Sequence, residues 1–159
     1  MTQITLITVG TLKESYLKDA VAEYKKRLSQ FARVDEVSLK EELIRNEEDR
    51  REIESALSSE GERIIAAMPK GAYKIALCVE GVQYDSVKLA EIIGAAQDRS
   101  GKIALVIGSS HGLAESVKCE CDLRLSFSKL TFPHQLMRVI LFEALYRSFT
   151  IIAGKKYHK

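Results

Sequence analysis

Three short runs in this 159-residue chain are apolar at nearly every position. The first holds Ile4, Leu6, Ile7 and Val9, the second Ile75-Ala76-Leu77-Cys78-Val79, and the third Ile103-Ala104-Leu105-Val106-Ile107. A strand that alternates in polarity has one wet face, whereas a strand apolar on both faces must be covered on both. Each run leads into a glycine (Gly10, Gly81 or Gly108), and each is followed by a stretch with helical spacing. That alternation dictates an α/β sandwich with a mainly parallel sheet.

The intervening segments fit this frame. In residues 14–29, Leu17, Val21, Tyr24 and Leu28 recur at helical spacing, which gives an amphipathic helix. Residues 31–39, with Val34, Val37 and Leu39, read as a second strand, and residues 40–46 as a charged connection. Residues 47–68 predict a long surface helix with Ile53, Leu57, Ile64 and Ile65 inward. Its middle is weakened by Ser58-Ser59-Glu60-Gly61, and it is ended by Pro69-Lys70-Gly71. Asp85 or Ser86 caps a helix running to residue 98, and residues 113–118 predict a short one. Leu123, Leu125 and Phe127 alternate with Arg124, Ser126 and Ser128 as a last strand. After a polar loop, a helix that is apolar almost all round starts at Pro133, with Thr131 as its expected N-cap and with His134 and Arg138 one turn apart on the same face. No repeat, linker or low-complexity tract interrupts the chain, so residues 1–159 are expected to form one domain.

An apolar content of 46% against 29% charged excludes a disordered chain. No apolar run approaches the roughly 18 residues that a membrane span needs, and the first residues lack the marks of a signal peptide. The cysteines, Cys78, Cys119 and Cys121, are odd in number and have no histidine pair beside them. Reduced thiols, no metal, no membrane and a cytoplasmic location are therefore expected. Charge is unevenly spread. From residue 123 onward Arg124, Lys129, Arg138, Arg147, Lys155, Lys156 and Lys159 face the single acid Glu143, while residues 40–63 hold nine acids and five bases. A basic C-terminal third points to a polyanionic partner.

Gly108-Ser109-Ser110-His111-Gly112 follows the most apolar strand. It has neither the Gly-Lys-Ser/Thr ending of a phosphate loop nor the glycine spacing of a dinucleotide fingerprint. In parallel sheets ligands bind beyond the carboxyl ends of strands. The turns at residues 77–81, 108–112 and 127–132 are thus expected to converge on one cavity for a flat, partly apolar ligand.

On these residues the chain resembles a known family. Val106-Ile107-Gly108-Ser109-Ser110-His111-Gly112, then Leu125-Ser126-Phe127-Ser128-Lys129-Leu130-Thr131-Phe132-Pro133-His134-Gln135-Leu136-Met137-Arg138-Val139, then Tyr157-His158-Lys159 look like the SPOUT methyltransferases. Within that superfamily the likeness is to the small large-subunit ribosomal RNA pseudouridine methyltransferases. It extends over essentially the whole chain, with one departure at Ser109, where many members carry glycine. The resemblance implies a deep C-terminal trefoil knot, a rare exception to the rule against threaded chains. It implies S-adenosyl-L-methionine as cofactor, held by Leu77, Gly108, Phe127, Ser128, Lys129, Leu130, Thr131 and Phe132. It further implies a homodimer in which each tail completes the partner's active site, acting on 23S ribosomal RNA in the large subunit or ribosome. The implied reaction is methylation of the ring nitrogen at position 3 of a pseudouridine. His134, His158 and Glu143 are the candidate bases, Arg138 and Lys129 the candidate stabilisers, and Tyr157 belongs to the site with the tail. Glu143 and Arg147, four apart, also fit a plain helical ion pair. Two other classes stay open: a non-catalytic RNA-binding α/β module and a flavodoxin-like nucleotide-binding protein.

Overall fold

The structure, a computed structural model, describes residues 1–159. Five strands form one sheet in the order β2-β1-β4-β3-β5, and every neighbouring pair is parallel. They are β1 (Thr2–Val9), β2 (Ala32–Leu39), β3 (Tyr73–Gln83), β4 (Lys102–Ile107) and β5 (Leu123–Ser126). The helices between and after them are α1 (Ser15–Leu28), α2 (Arg50–Ala67), α3 (Ser86–Ser100), α4 (Glu115–Cys119) and α5 (His134–Ile152).

Successive side chains of a strand point to opposite faces, and the two cores divide accordingly. Ile4 and Leu6 of β1 and Ile103, Leu105 and Ile107 of β4 join Val21, Ile93, Phe142 and Leu145, so α1, α3 and α5 cover one face. Ile7, Val9 and Val106 join Ile64, Leu113 and Val117, so α2 and α4 cover the other. Both faces of β1 and β4 are thereby dry, as the uninterrupted apolar runs require.

Asp85 caps α3 by accepting the amide of Lys88 at 2.7 Å, which decides between the two candidate caps. Helix α2 departs from expectation. It is continuous through residues 58–61, and its buried side is Ala56, Glu60, Gly61 and Ile64, while Ile53, Leu57 and Ile65 are only half-buried. Gly61 is a contact rather than a weak point. A Cβ there would stand 3.1 Å from Ala114 Cβ and 3.2 Å from Val117 Cγ2, so the glycine lets α4 approach.

The strand read as ending at Val79 instead runs on to Gln83. Both Leu77 and Val82 pair with Leu125 of β5, so residues 78–81 form an excursion between two stretches of one ladder. At its return, a Cβ on Gly81 would lie 2.7 Å from the carbonyl carbon and oxygen of Arg124. Only glycine permits that backbone approach.

Replacing Gly61 with leucine is expected to lower stability by roughly 1–3 kcal/mol through overpacking, despite leucine's better helix propensity. Urea unfolding measures it, and a raised midpoint would contradict the packing role.

Candidate functional site

The carboxyl ends of β3, β4 and β5 enclose a cavity of about 690 Å³. Its walls are the three predicted turns: Leu77, Cys78, Val79 and Glu80 from the excursion of β3, residues 107–113 after β4, and residues 125–128 with 130–134 after β5. That volume lies within the range of small-molecule sites.

Each wall is held for a local reason. Gly108 has to be glycine because a Cβ would stand 2.2 Å from the carbonyl oxygen of Gly112. The turn folds back on itself at this point, with Gly112 N–H donating to Ser109 O at 2.9 Å. The wall after β5 is self-bonded: the Ser126 hydroxyl donates to Ser128 O at 3.1 Å, and Leu130 N–H donates to Ser128 Oγ at 3.0 Å. Leu77, Gly108, Phe127, Ser128, Leu130, Thr131 and Phe132 all line the cavity. Lys129 does not; it points to solvent beside it. Thr131 lines the cavity but caps nothing, because Pro133 takes the N-cap position and accepts the first helical bond, from Met137 N–H at 2.9 Å.

Of the five candidate catalytic residues, only His134 lines this cavity. Arg138 is 2% exposed, and its Nη2 donates to Gly10 O at 2.8 Å and Val9 O at 3.4 Å. Burial pulls the guanidinium down from its ordinary value. The helical turn it shares with His134 carries it onto the end of β1 rather than into the cavity. Glu143 lies roughly 13 Å beyond His134 along α5, at 1.5 Å per residue. There Arg147 Nη2 donates to Glu143 Oε1 at 2.6 Å, Tyr157 Oη donates to the same oxygen at 3.2 Å, and Arg147 Nη1 meets His158 Nδ1 at 3.3 Å. The hydrogen bond it donates to Glu143 raises the Arg147 guanidinium further, while burial and then the Glu143 charge hold the Tyr157 phenol up, protonated and donating. The Tyr157 ring also packs edge-on to Tyr146 at 4.8 Å. The tail therefore docks on its own helix instead of fraying.

Glu143 and His158 border a second cavity of about 480 Å³, walled also by Tyr84, Val87 and Ile140. Phe127 is common to both cavities. Within one chain, then, the candidate catalytic residues fall into three places: His134 in the first cavity, Arg138 beneath β1, and the Glu143–Tyr157–His158 group at the second.

One feature of the first cavity was not singled out from the sequence. Glu80 is its only lining carboxylate and is paired with Lys118, which lines it too and holds that carboxyl below the usual range. The residue sits beside Gly81, the one signal that pointed to it. His111, in the turn expected to line the cavity, is half-buried in its wall. Burial, then Glu80, pushes the Cys78 thiol up, which keeps it from being a thiolate nucleophile near neutral pH. Nowhere do three or more His, Cys, Asp or Glu side chains gather as a metal site would need, and no helix is long and apolar enough to cross a membrane.

An apolar-walled cavity whose one carboxylate is paired with a lysine, with a glycine turn that admits no Cβ and no cluster of cations, suits a flat, partly apolar ligand better than a polyphosphate. Residues 2–158 match the family described as "Predicted SPOUT methyltransferase". Ribosomal RNA large subunit methyltransferase H of Caldicellulosiruptor saccharolyticus is 44% identical over 98% of this chain and 99% of its own. The protein of that name from Streptococcus gordonii is 44% identical over 99% of each chain. Among solved structures, one described as giving insights into "the 2-OH methylation of C/U34 on tRNA" superposes with a TM-score of 0.51 at 14% identity, over 97% of this chain and 99% of that one. A methyltransferase of Legionella pneumophila, solved with bound cofactor SAM, gives 0.50 at 11% identity over 91% of this chain and 65% of the other.

Arg138→Met keeps much of the buried volume but leaves the carbonyls of Val9 and Gly10 without their donor. It is expected to cost roughly 1–3 kcal/mol in stability, read by urea unfolding. A variant as stable as the parent would show that the guanidinium holds nothing there.

Proposed function

Since the chain belongs to the SPOUT methyltransferase family, we propose that it transfers a methyl group from S-adenosyl-L-methionine to large-subunit ribosomal RNA, at the 3-position nitrogen of a pseudouridine. The observation that carries this reading is the convergence of three strand-end turns on one cavity, with the residues of the family resemblance in its walls. The names of relatives matched over nearly the full length support the substrate class.

The residues fit the cofactor. Leu77, Phe127, Leu130 and Phe132 offer apolar walls for an adenine, and the turn at Gly108 brings backbone close where a side chain would intrude. When bound, S-adenosylmethionine supplies an electrophilic methyl on a sulfonium, and the electron pair of the broken C–S bond stays on sulfur. What the protein has to add is position and a place for a proton. As the N–C bond forms, the N3 proton must leave the imide, and His134 on the cavity wall is the base within this chain's own site. Arg138 acts on the site only by fixing the first turn of α5 to β1.

Glu143, Tyr157 and His158 enter the reaction in this reading through a second copy, whose tail reaches the donor cavity of the first. Exposed apolar residues at the rim, Val79 and Leu130, support a homodimer. The chain works in the cytoplasm, where ribosomes are, with its basic C-terminal third toward RNA. The C-terminal knot of the family belongs to the same reading, and the family model matched over residues 2–158 supports it.

Mass spectrometry of large-subunit RNA from cells with and without the gene is expected to differ by one methyl group on a pseudouridine, and identical spectra would overturn the function. Removing residues 157–159 is expected to leave a folded protein that still binds S-adenosylmethionine by calorimetry but loses more than a hundredfold in methylation. Near-full activity of the shortened chain would remove the tail from the site.

A further inference from the structure

Behind the glycine turn of the first cavity lies a carboxylate with no role in the reading so far. Glu60, midway along α2, is 3% exposed. Its Oε1 accepts the Ser109 hydroxyl at 3.1 Å, and its Oε2 accepts the backbone N–H of Glu42 at 3.0 Å. It makes no ion pair; the cation of this region, Arg63, bonds Glu42 instead, at 2.7 Å. A buried carboxylate without a cation is costly, and here both of its oxygens are engaged by groups distant in sequence. One is a side chain of the cavity wall, the other the backbone of the β2–α2 connection.

Ser109 is itself 7% exposed and lines the cavity. Its carbonyl accepts from Gly112 N–H at 2.9 Å, so the residue is gripped from two sides. The backbone closes the turn in front, and Glu60 holds the hydroxyl from behind. Gly108, next to it, has 2.2 Å between its absent Cβ and Gly112 O, so the turn has no slack to absorb a shift of Ser109. We propose that Glu60 is a positioning residue for donor binding: through the Ser109 hydroxyl it fixes residues 108–112 in the shape that receives the methyl donor. Its second oxygen anchors that shape to the connection after β2. This inference rests on the donor reading of the first cavity. In place of a serine hydroxyl, a glycine would leave Glu60 Oε1 buried without a donor, so Ser109 and Glu60 work as one unit.

Calorimetric titration of the full chain with S-adenosylmethionine and with its demethylated product tests this, using the unaltered protein, Ser109→Ala, Glu60→Met, which keeps the side-chain length but neither acceptor, and the double variant. Each single change is expected to weaken binding about tenfold, and the double change no more than the weaker-binding single, because groups acting as one unit are not additive. In steady state on large ribosomal subunits, KM for the donor is expected to rise about tenfold while kcat falls less than twofold. Donor affinity within twofold of the parent, with only the thermal midpoint lowered, would make Glu60 a plain clamp between α2 and the sheet and overturn the proposal. Losses that multiply in the double variant would overturn it equally, since the two residues would then act separately. If the unaltered chain takes up no donor, the cofactor reading falls and this inference with it; if it binds and the variants bind alike, the inference alone falls. Should Glu60→Met fail to fold, Ser109→Ala, which removes a single oxygen, decides by itself.

Discussion

The bulge in the ladder between β3 and β5 is the constraint on which the site depends. Leu77 and Val82 share one partner, Leu125, so four residues have to leave the sheet and return. The return is possible only because Gly81 lets two backbones meet where a Cβ would be 2.7 Å from a carbonyl. That excursion delivers Cys78, Val79 and Glu80 to the cavity as one wall. Without it, the ends of β4 and β5 would open on a shelf instead of a pocket.

Around this bulge polar side chains, buried for Arg138 and Glu60 and exposed for Asp122, act as fasteners between elements. Arg138 joins the first turn of α5 to the last residues of β1. Glu60 joins α2 to the turn after β4 and to the connection after β2. Asp122 accepts from Lys74 N–H at 2.8 Å and returns its own N–H to Lys74 O at 2.8 Å, which aligns the start of β5 with β3. Each fastener lies at the end of a strand rather than along its middle, where side chains such as Ile4, Ile75 and Ile103 leave no room for polar atoms.

The sheet was legible in the sequence because apolar runs report burial on two faces directly. The three turns were legible because glycine marks strand ends in a parallel sheet. What escaped were features set by non-local backbone approach. Gly61 reads locally as a helix weakness, yet it is where α4 touches α2. The return of β3 after Gly81 has no periodic signature, since Glu80, Gly81 and Gln83 look like a turn. Arg138 shared a helical face with His134 by spacing, but side chains leaning from adjacent turns reach different neighbours, and only the position of β1 decided which. Glu80 was hidden for the opposite reason: charged residues beside turns normally face water.

The strand order β2-β1-β4-β3-β5 puts the fourth strand between the first and the third. During synthesis, β1 and β2 are complete by residue 39, but the strand that joins them to β3 ends only at residue 107. At about 5–20 residues per second, the inner edge of β1 stays unsealed for several seconds. Until β4 emerges, the β1–β2 pair and β3 have no strand between them, so the keystone of the sheet is nearly the last strand made.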